Sequence, residues 1–141
     1  MWASTFAGRL ESWYGMRQKC HALSVESTLI TINSWWCTTP WQPYYLHWDD
    51  QPAWPDPWQL LNDNVYCDLA RALGILYTIS LLDRADLTDA TLVLTQDGHN
   101  LVVVDKSKYI LNWSPDTVVN TSQAIKIRRQ LSQSQIKQQY N

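Results

Sequence analysis

The 141 residues, 45% of them hydrophobic, are enough for one domain with a real core and lie far from the disordered class. A formal net charge of −2 excludes the basic footprint of a protein that wraps DNA or RNA. The longest apolar stretch, Leu69 to Leu82, is broken by Arg71 and is too short to span a bilayer, so neither nucleic acid nor membrane is an expected partner.

The elements follow in chain order. Phe6, Leu10, Trp13 and Tyr14 fall at helical spacing, with Arg9, Glu11 and Arg17 off that face, and predict a first helix over residues 6–20. Those same charges stand where a secretory leader needs an apolar core, so the chain is expected to be soluble and made in a cytoplasm. Ser24 is a good cap for a second helix to about Trp36, with Val25, Leu29, Ile32 and Trp36 on one stripe, and Pro40 forbids its continuation.

Residues 38–57 form a long loop that holds Pro40, Pro43, Pro52, Pro55 and Pro57, five of the six prolines. Each fixes φ and removes a backbone donor, so the loop is stiff. Nine Trp and seven Tyr against one Phe is an unusual aromatic set, and much of it falls here. Because such rings are enriched at interface cores, Trp41, Tyr44, Tyr45, Trp48 and Trp54 are expected as docking anchors.

Asp56 and Pro57 predict the cap and first turn of a short helix to about Asn62. A third long helix over 65–82 carries Leu69, Leu73, Leu76, Ile79 and Leu82, with Ala70, Ala72 and Gly74 as a small-residue face, and is expected to be the most buried. Residues 91–95 and 101–105 read as a hairpin through Asp97-Gly98, residues 109–113 as a third strand, and 124–131 as a half-buried strand with Ile125 and Ile127 inward. The Gln-rich tail 132–141, apolar only at Ile136 and Tyr140, is expected to fray unless something holds it. The reading is one α+β domain over 1–131, its helices packed on a small antiparallel sheet, followed by that polar tail.

Charge is uneven: beyond Asp116 only Lys126, Arg128, Arg129 and Lys137 are charged, while acids outnumber bases in residues 1–70. A basic end and an acidic front attract each other within one molecule or between copies. Lys126, Arg128 and Arg129 are therefore a second expected docking surface. Cys20, Cys37 and Cys67 are odd in number and without CxxC, so they signal neither a zinc knuckle nor a redox pair and suit a reducing compartment. No phosphate loop, HExxH, GxSxG or EF-hand spacing occurs, so no cofactor and no metal is expected.

Cys67 is the sharpest chemical candidate, near the start of the buried helix where backbone dipoles favour negative charge. The run Trp54-Pro-Asp-Pro-Trp-Gln-Leu-Leu-Asn-Asp-Asn-Val-Tyr-Cys67, then Asp-Leu-Ala-Arg-Ala-Leu-Gly, resembles the transglutaminase-like branch of the papain-like cysteine enzymes. The resemblance covers residues 24–113, with Asp68 and Ala70 shifted by one position from the family pattern. It implies Cys67 as nucleophile, Asp105 as the group orienting the base, and a histidine at 89–91, where this chain has Asp-Ala-Thr. A nucleophilic thiol needs such a base. His99 is in the hairpin turn, one strand length of roughly 13 Å from Thr91, and is expected to lie far from the helix start. The implied site is thus degenerate, with His47 as the remaining catalytic candidate beside Cys67 and Asp105.

Trp35-Trp36, Pro43-Tyr-Tyr-Leu-His-Trp-Asp49, residues 54–61, Tyr66-Cys-Asp-Leu-Ala-Arg-Ala-Leu-Gly74 and Lys108-Tyr-Ile-Leu-Asn-Trp113 resemble small virion proteins of tailed marine bacteriophages of the myovirus type. That resemblance implies a structural subunit of a tail, baseplate or neck, located in the virion, made in the host cytoplasm, and partnered by other protein subunits rather than a small-molecule substrate. The alternative is a cysteine-dependent acyl-transfer enzyme, a peptidase, amidase or transglutaminase-like catalyst built on Cys67.

Overall fold

The computed structural model describes residues 2–43, 46–120 and 124–140 and has an α+β fold. Helix α1 (Phe6–Cys20) starts at Thr5, whose side chain accepts from the Gly8 amide. Its buried stripe is Arg9, Trp13, Met16 and Cys20, not the expected Phe6 and Tyr14, which are exposed. The reason is Arg9. Its Nε donates to the Leu61 carbonyl at 2.7 Å, and the guanidinium also reaches Asn62 O at 3.4 Å. These are terminal carbonyls of α3 (Pro57–Asp63), which its own helix leaves without donors.

Helix α2 (Val25–Cys37) is capped by Ser24, and α3 by a reciprocal Asp56–Gln59 pair with Pro57 in its first turn. Helix α4 (Asp68–Leu82) is buried along nearly all of its length, as its composition demands. The small face fits the ring of Trp36: a Cβ on Gly74 would stand 2.5 Å from Trp36 Cη2. One turn on, Thr78 Oγ1 accepts the indole N–H of both Trp13 and Trp36 at 3.0 Å and donates to Gly74 O at 2.7 Å. Three helices are thereby tied at one buried hydroxyl.

The sheet has the order β3-β2-β1-β4, built from β1 (Thr91–Thr95), β2 (Asn100–Val104), β3 (Tyr109–Leu111) and β4 (Ile127–Ser132), with every neighbour antiparallel. Alternation sends Leu92, Val102, Val104, Tyr109 and Leu111 into the main core with the helices. Val93, Leu101, Val103 and Ile110 form a smaller apolar face on the other side with Ile125.

The short connection 83–90 decides which end of the sheet meets the start of α4. It returns β1 beside the end of the helix, so the hairpin at 96–99 lies over the helix start. Asn100 N donates to Asp68 Oδ2 at 2.8 Å. The expectation that this hairpin is remote from the helix start is overturned.

Two further expectations are decided at the C-terminal end. Strand β4 is exposed from Ile127 to Gln130, not half-buried with Ile127 inward, because it is an edge strand that joins the helix-packed core only at Leu131. The tail, expected to fray unless held, is held and folds as α5 (Gln133–Ile136) and a 3-10 turn (Lys137–Gln139). Ile136 is buried, and the Tyr140 ring packs on Tyr77 with its hydroxyl 2.6 Å from Ser80 Oγ.

Candidate functional site at the start of helix α4

Cys67 caps α4 rather than lying inside its first turn. Two backbone amides point at its sulfur: Ala70 N at 3.4 Å, from the helix, and Leu46 N at 3.3 Å, from the proline loop. The loop reaches there because its first residues pair with the segment before the cap. Gln42 N donates to Tyr66 O and Tyr66 N to Pro40 O, each at 3.0 Å. Arg71 fixes the loop start through Thr39 Oγ1 (2.8 Å) and Thr39 O (2.6 Å), and Tyr77 fixes its end through Pro55 O (2.6 Å). The thiol is 5% exposed and opens onto a cavity of about 260 Å³ with Trp41, Leu46, Asp68 and Asn100 in its walls.

Beside the sulfur lies a closed network of amides around one carboxylate. Asp68 Oδ2 accepts from Asn100 N (2.8 Å) and Nδ2 (3.2 Å), and Oδ1 accepts from Asn112 Nδ2 at 3.0 Å. Asn112 Nδ2 also reaches Asn100 O at 2.9 Å. Asn112 adopts the left-handed conformation at φ 66°, which asparagine tolerates, and its own amide donates to Asn33 Oδ1 at 2.8 Å. Asn33 Nδ2 donates to Ser114 O at 2.7 Å, and Trp48 Nε1 donates to Asn100 Oδ1 at 2.8 Å. Asn33, Asn100 and Asn112 each join the chain at two points. An amide neither gains nor loses a proton near neutrality, so the three asparagines fix backbone and supply no base.

The three histidines lie elsewhere. His99 is next to Asn100 in sequence but faces the opposite side of the sheet, packed edge-on against Trp113 at 5.1 Å with Asp97 Oδ2 3.8 Å away. His47 is exposed, and its carbonyl, not its ring, is engaged, accepting from Trp54 Nε1 at 2.8 Å. His21 caps the end of α1. No imidazole hydrogen-bonds Cys67 among the described residues. Asp105 stands at the opposite end of β2 from Asn100, in a turn where Asp105, Lys106 and Ser107 all have positive φ. It is brought to neither Cys67 nor His47. Among the described residues no group of three or more His, Cys, Asp and Glu gathers as metal ligands, and no helix is long and apolar enough to cross a membrane.

Cys20 and Cys37 are separate from this site, and burial pushes both thiols up, away from the reactive thiolate.

The expected docking anchors divide. Trp54 is 5% exposed and stacks edge-on with Trp48, so it belongs to the core: its ring fills the space under the loop and its N–H is satisfied internally. Trp48 is half-buried with its N–H on Asn100. Trp41 is 59% exposed at the cavity rim. Tyr44 and Tyr45 lie outside the described residues. Lys126, Arg128 and Arg129 are all exposed. Arg129 pairs with Asp49 at 2.7 Å and lies over the Trp48 ring, so the basic strand and the loop meet within one molecule.

Sequence reasoning missed Asn33, Asn100 and Asn112. The signal was available at Asn100, which shares its alternation with the inward Val102 and Val104. It also missed the exposed rings of Trp58 and Trp113. Comparison with protein-family models, curated proteins and solved structures finds no match.

Proposed function

We propose that this chain is a non-catalytic docking subunit of a larger protein assembly, and that the start of α4 is a structural joint. One observation carries the reading. The inward position at the start of β2, across the cavity from Cys67, is held by Asn100, whose amide is committed to Asp68 and Trp48. A thiol of this kind needs a proton acceptor in hydrogen-bond reach to serve as a nucleophile, and an amide is not one. The surviving features suit packing: a loop stiffened by prolines, clamped at both ends, with Trp41 exposed on its rim. The resemblance to tailed-phage proteins supports a virion tail, baseplate or neck as that assembly, with other protein subunits as partners. Reconstitution of particles or subcomplexes from Trp41→Ala and Cys67→Ser chains tests this. Trp41→Ala is expected to lower incorporation severalfold and Cys67→Ser, which keeps a capping acceptor and removes the thiol, to leave it unchanged. The reverse pattern rejects the reading.

A second reading, a Cys67-based acyl-transfer enzyme, draws on the cavity at the thiol and the two amides aimed at the sulfur. A burst of product from an activated ester, lost in Cys67→Ala, would favour it.

A further inference from the structure

We propose that β4 is a strand-addition site that takes an extended, acidic segment of another protein, with backbone hydrogen bonds along its open edge. This deepens the docking reading and rests on it.

The two edges of the sheet are not alike. Beyond β3, Ile110 N donates to Val118 O at 2.7 Å and Asn120 N to Lys108 O at 2.9 Å, so the following chain covers that edge. Beyond β4 no described strand or loop pairs. The register shows which groups face out. Gln133 N donates to Ala90 O at 3.0 Å, and Leu92 pairs with Leu131 and Leu94 with Arg129. Hydrogen-bonded pairs alternate along an antiparallel ladder. Leu131 and Arg129 therefore bond inward to β1, while Arg128, Gln130 and Ser132 turn N–H and C=O outward. Ser132 N is already taken by Gln135 Oε1 at 2.8 Å, which ends the open rim. The irregularity between Leu94 and Thr95 begins it, since Gln96 N donates to Lys126 O at 2.9 Å and Ile127 falls at the bulge. The rim is thus residues 127–130, all exposed, with Ile127 at 43%.

Charge selects the occupant. Among the described residues, Arg128 and Lys126 have no acidic partner, and Arg129 has one at an exposed pair. A second copy pairing through β4 would set these cations against their own images, and like charges across a strand pair repel. An acidic strand meets the same cations favourably while its backbone completes the rim.

The probe is a blocked, fluorescein-labelled peptide of alternating Glu and Val, about ten residues long, with a Lys-Val peptide as counterpart. The Glu-Val peptide is expected to bind at least about tenfold tighter, and to slow amide exchange at Arg128 and Gln130 but not at Val102. Gln130→Pro removes an outward N–H at a position where an edge strand tolerates proline. It is expected to weaken binding about tenfold with the circular dichroism unchanged. No binding, equal binding of both peptides, or full binding by Gln130→Pro overturns the proposal, the last because charge alone would then suffice. If Trp41→Ala abolishes incorporation while Gln130→Pro does not, docking stands and strand addition falls. If neither substitution matters, docking itself falls.

Discussion

Replacing Thr78 by valine keeps the branched shape and removes one oxygen that two tryptophans share. Trp13 Nε1 and Trp36 Nε1 both end on Thr78 Oγ1 at 3.0 Å, and both rings are 1% exposed. Neither indole has water to fall back on. Leaving a buried donor without a partner costs about 1–3 kcal/mol. Two donors give a range of about 2–6 kcal/mol, and relaxation of the rings should hold the result near 3 kcal/mol. With a urea m-value of about 2 kcal/mol/M for a chain of this size, the midpoint should fall by about 1.5 M. Urea unfolding followed by tryptophan fluorescence and circular dichroism reads this directly. A double-mutant cycle with Trp13→Phe should return part of the loss, because phenylalanine has no N–H to strand. A midpoint shift under about 0.3 M would refute the shared-acceptor account of how α1, α2 and α4 are held.

Asn112→Asp sets a second carboxylate where Asn112 Nδ2 now stands 3.0 Å from Asp68 Oδ1. It should destabilise the fold by about 2–3 kcal/mol at neutral pH. The folded pair holds a proton more tightly than the unfolded chain does, so stability should return as pH falls from neutral toward about 4 and change little below it; a flat pH profile of the melting temperature would contradict this. Burial pushes the Tyr66 and Tyr77 phenols up from the ordinary value of 10.0. A raised folded value means that stability is intact below 10.0 and falls as pH rises from there toward the folded value, by up to about 1.4 kcal/mol per pH unit for each ring. Chemical denaturation across the alkaline range, with tyrosinate absorbance alongside, checks the sign and the onset.

The local elements were legible because their signals are local. Ser24, Asp56 with Pro57, and Asp97-Gly98 fix caps and a turn through their own side chains and dihedrals. What the sequence concealed is tertiary. Arg9 looks like a surface charge on a periodicity plot, yet it is buried because α3 ends against it and offers two carbonyls. Ile127 alternates as a half-buried residue should, but β4 is an edge strand and meets the core only at its other end, at Leu131. The tail is polar by count, and it is held by Ile136 and Tyr140 alone among its apolar residues. At the candidate site, Cys67 was found by its place near the helix start, although it caps the helix and does not lie inside it. The residues around it come from α2, the loop, β2 and the segment after β3, and their meeting depends on the short return from Leu82 to Thr91. That length was readable, and it places the hairpin over the helix start.

The aromatic excess is likewise explained from within. Six of the nine tryptophans, Trp2, Trp13, Trp35, Trp36, Trp48 and Trp54, donate their N–H to a partner inside the molecule. Large rings with one polar handle pack the helices while keeping each handle bonded. The exposed remainder, Trp41, Trp58 and Trp113, is the part available to partners.

The central claim is that Cys67 is a joint in the fold and not a nucleophile. Intact-mass measurement of iodoacetamide alkylation at neutral pH, with peptide mapping to separate Cys67 from Cys20 and Cys37, tests it most directly. The account predicts modification of Cys67 more slowly than a free cysteine peptide in the same buffer. Modification faster than that peptide would contradict it.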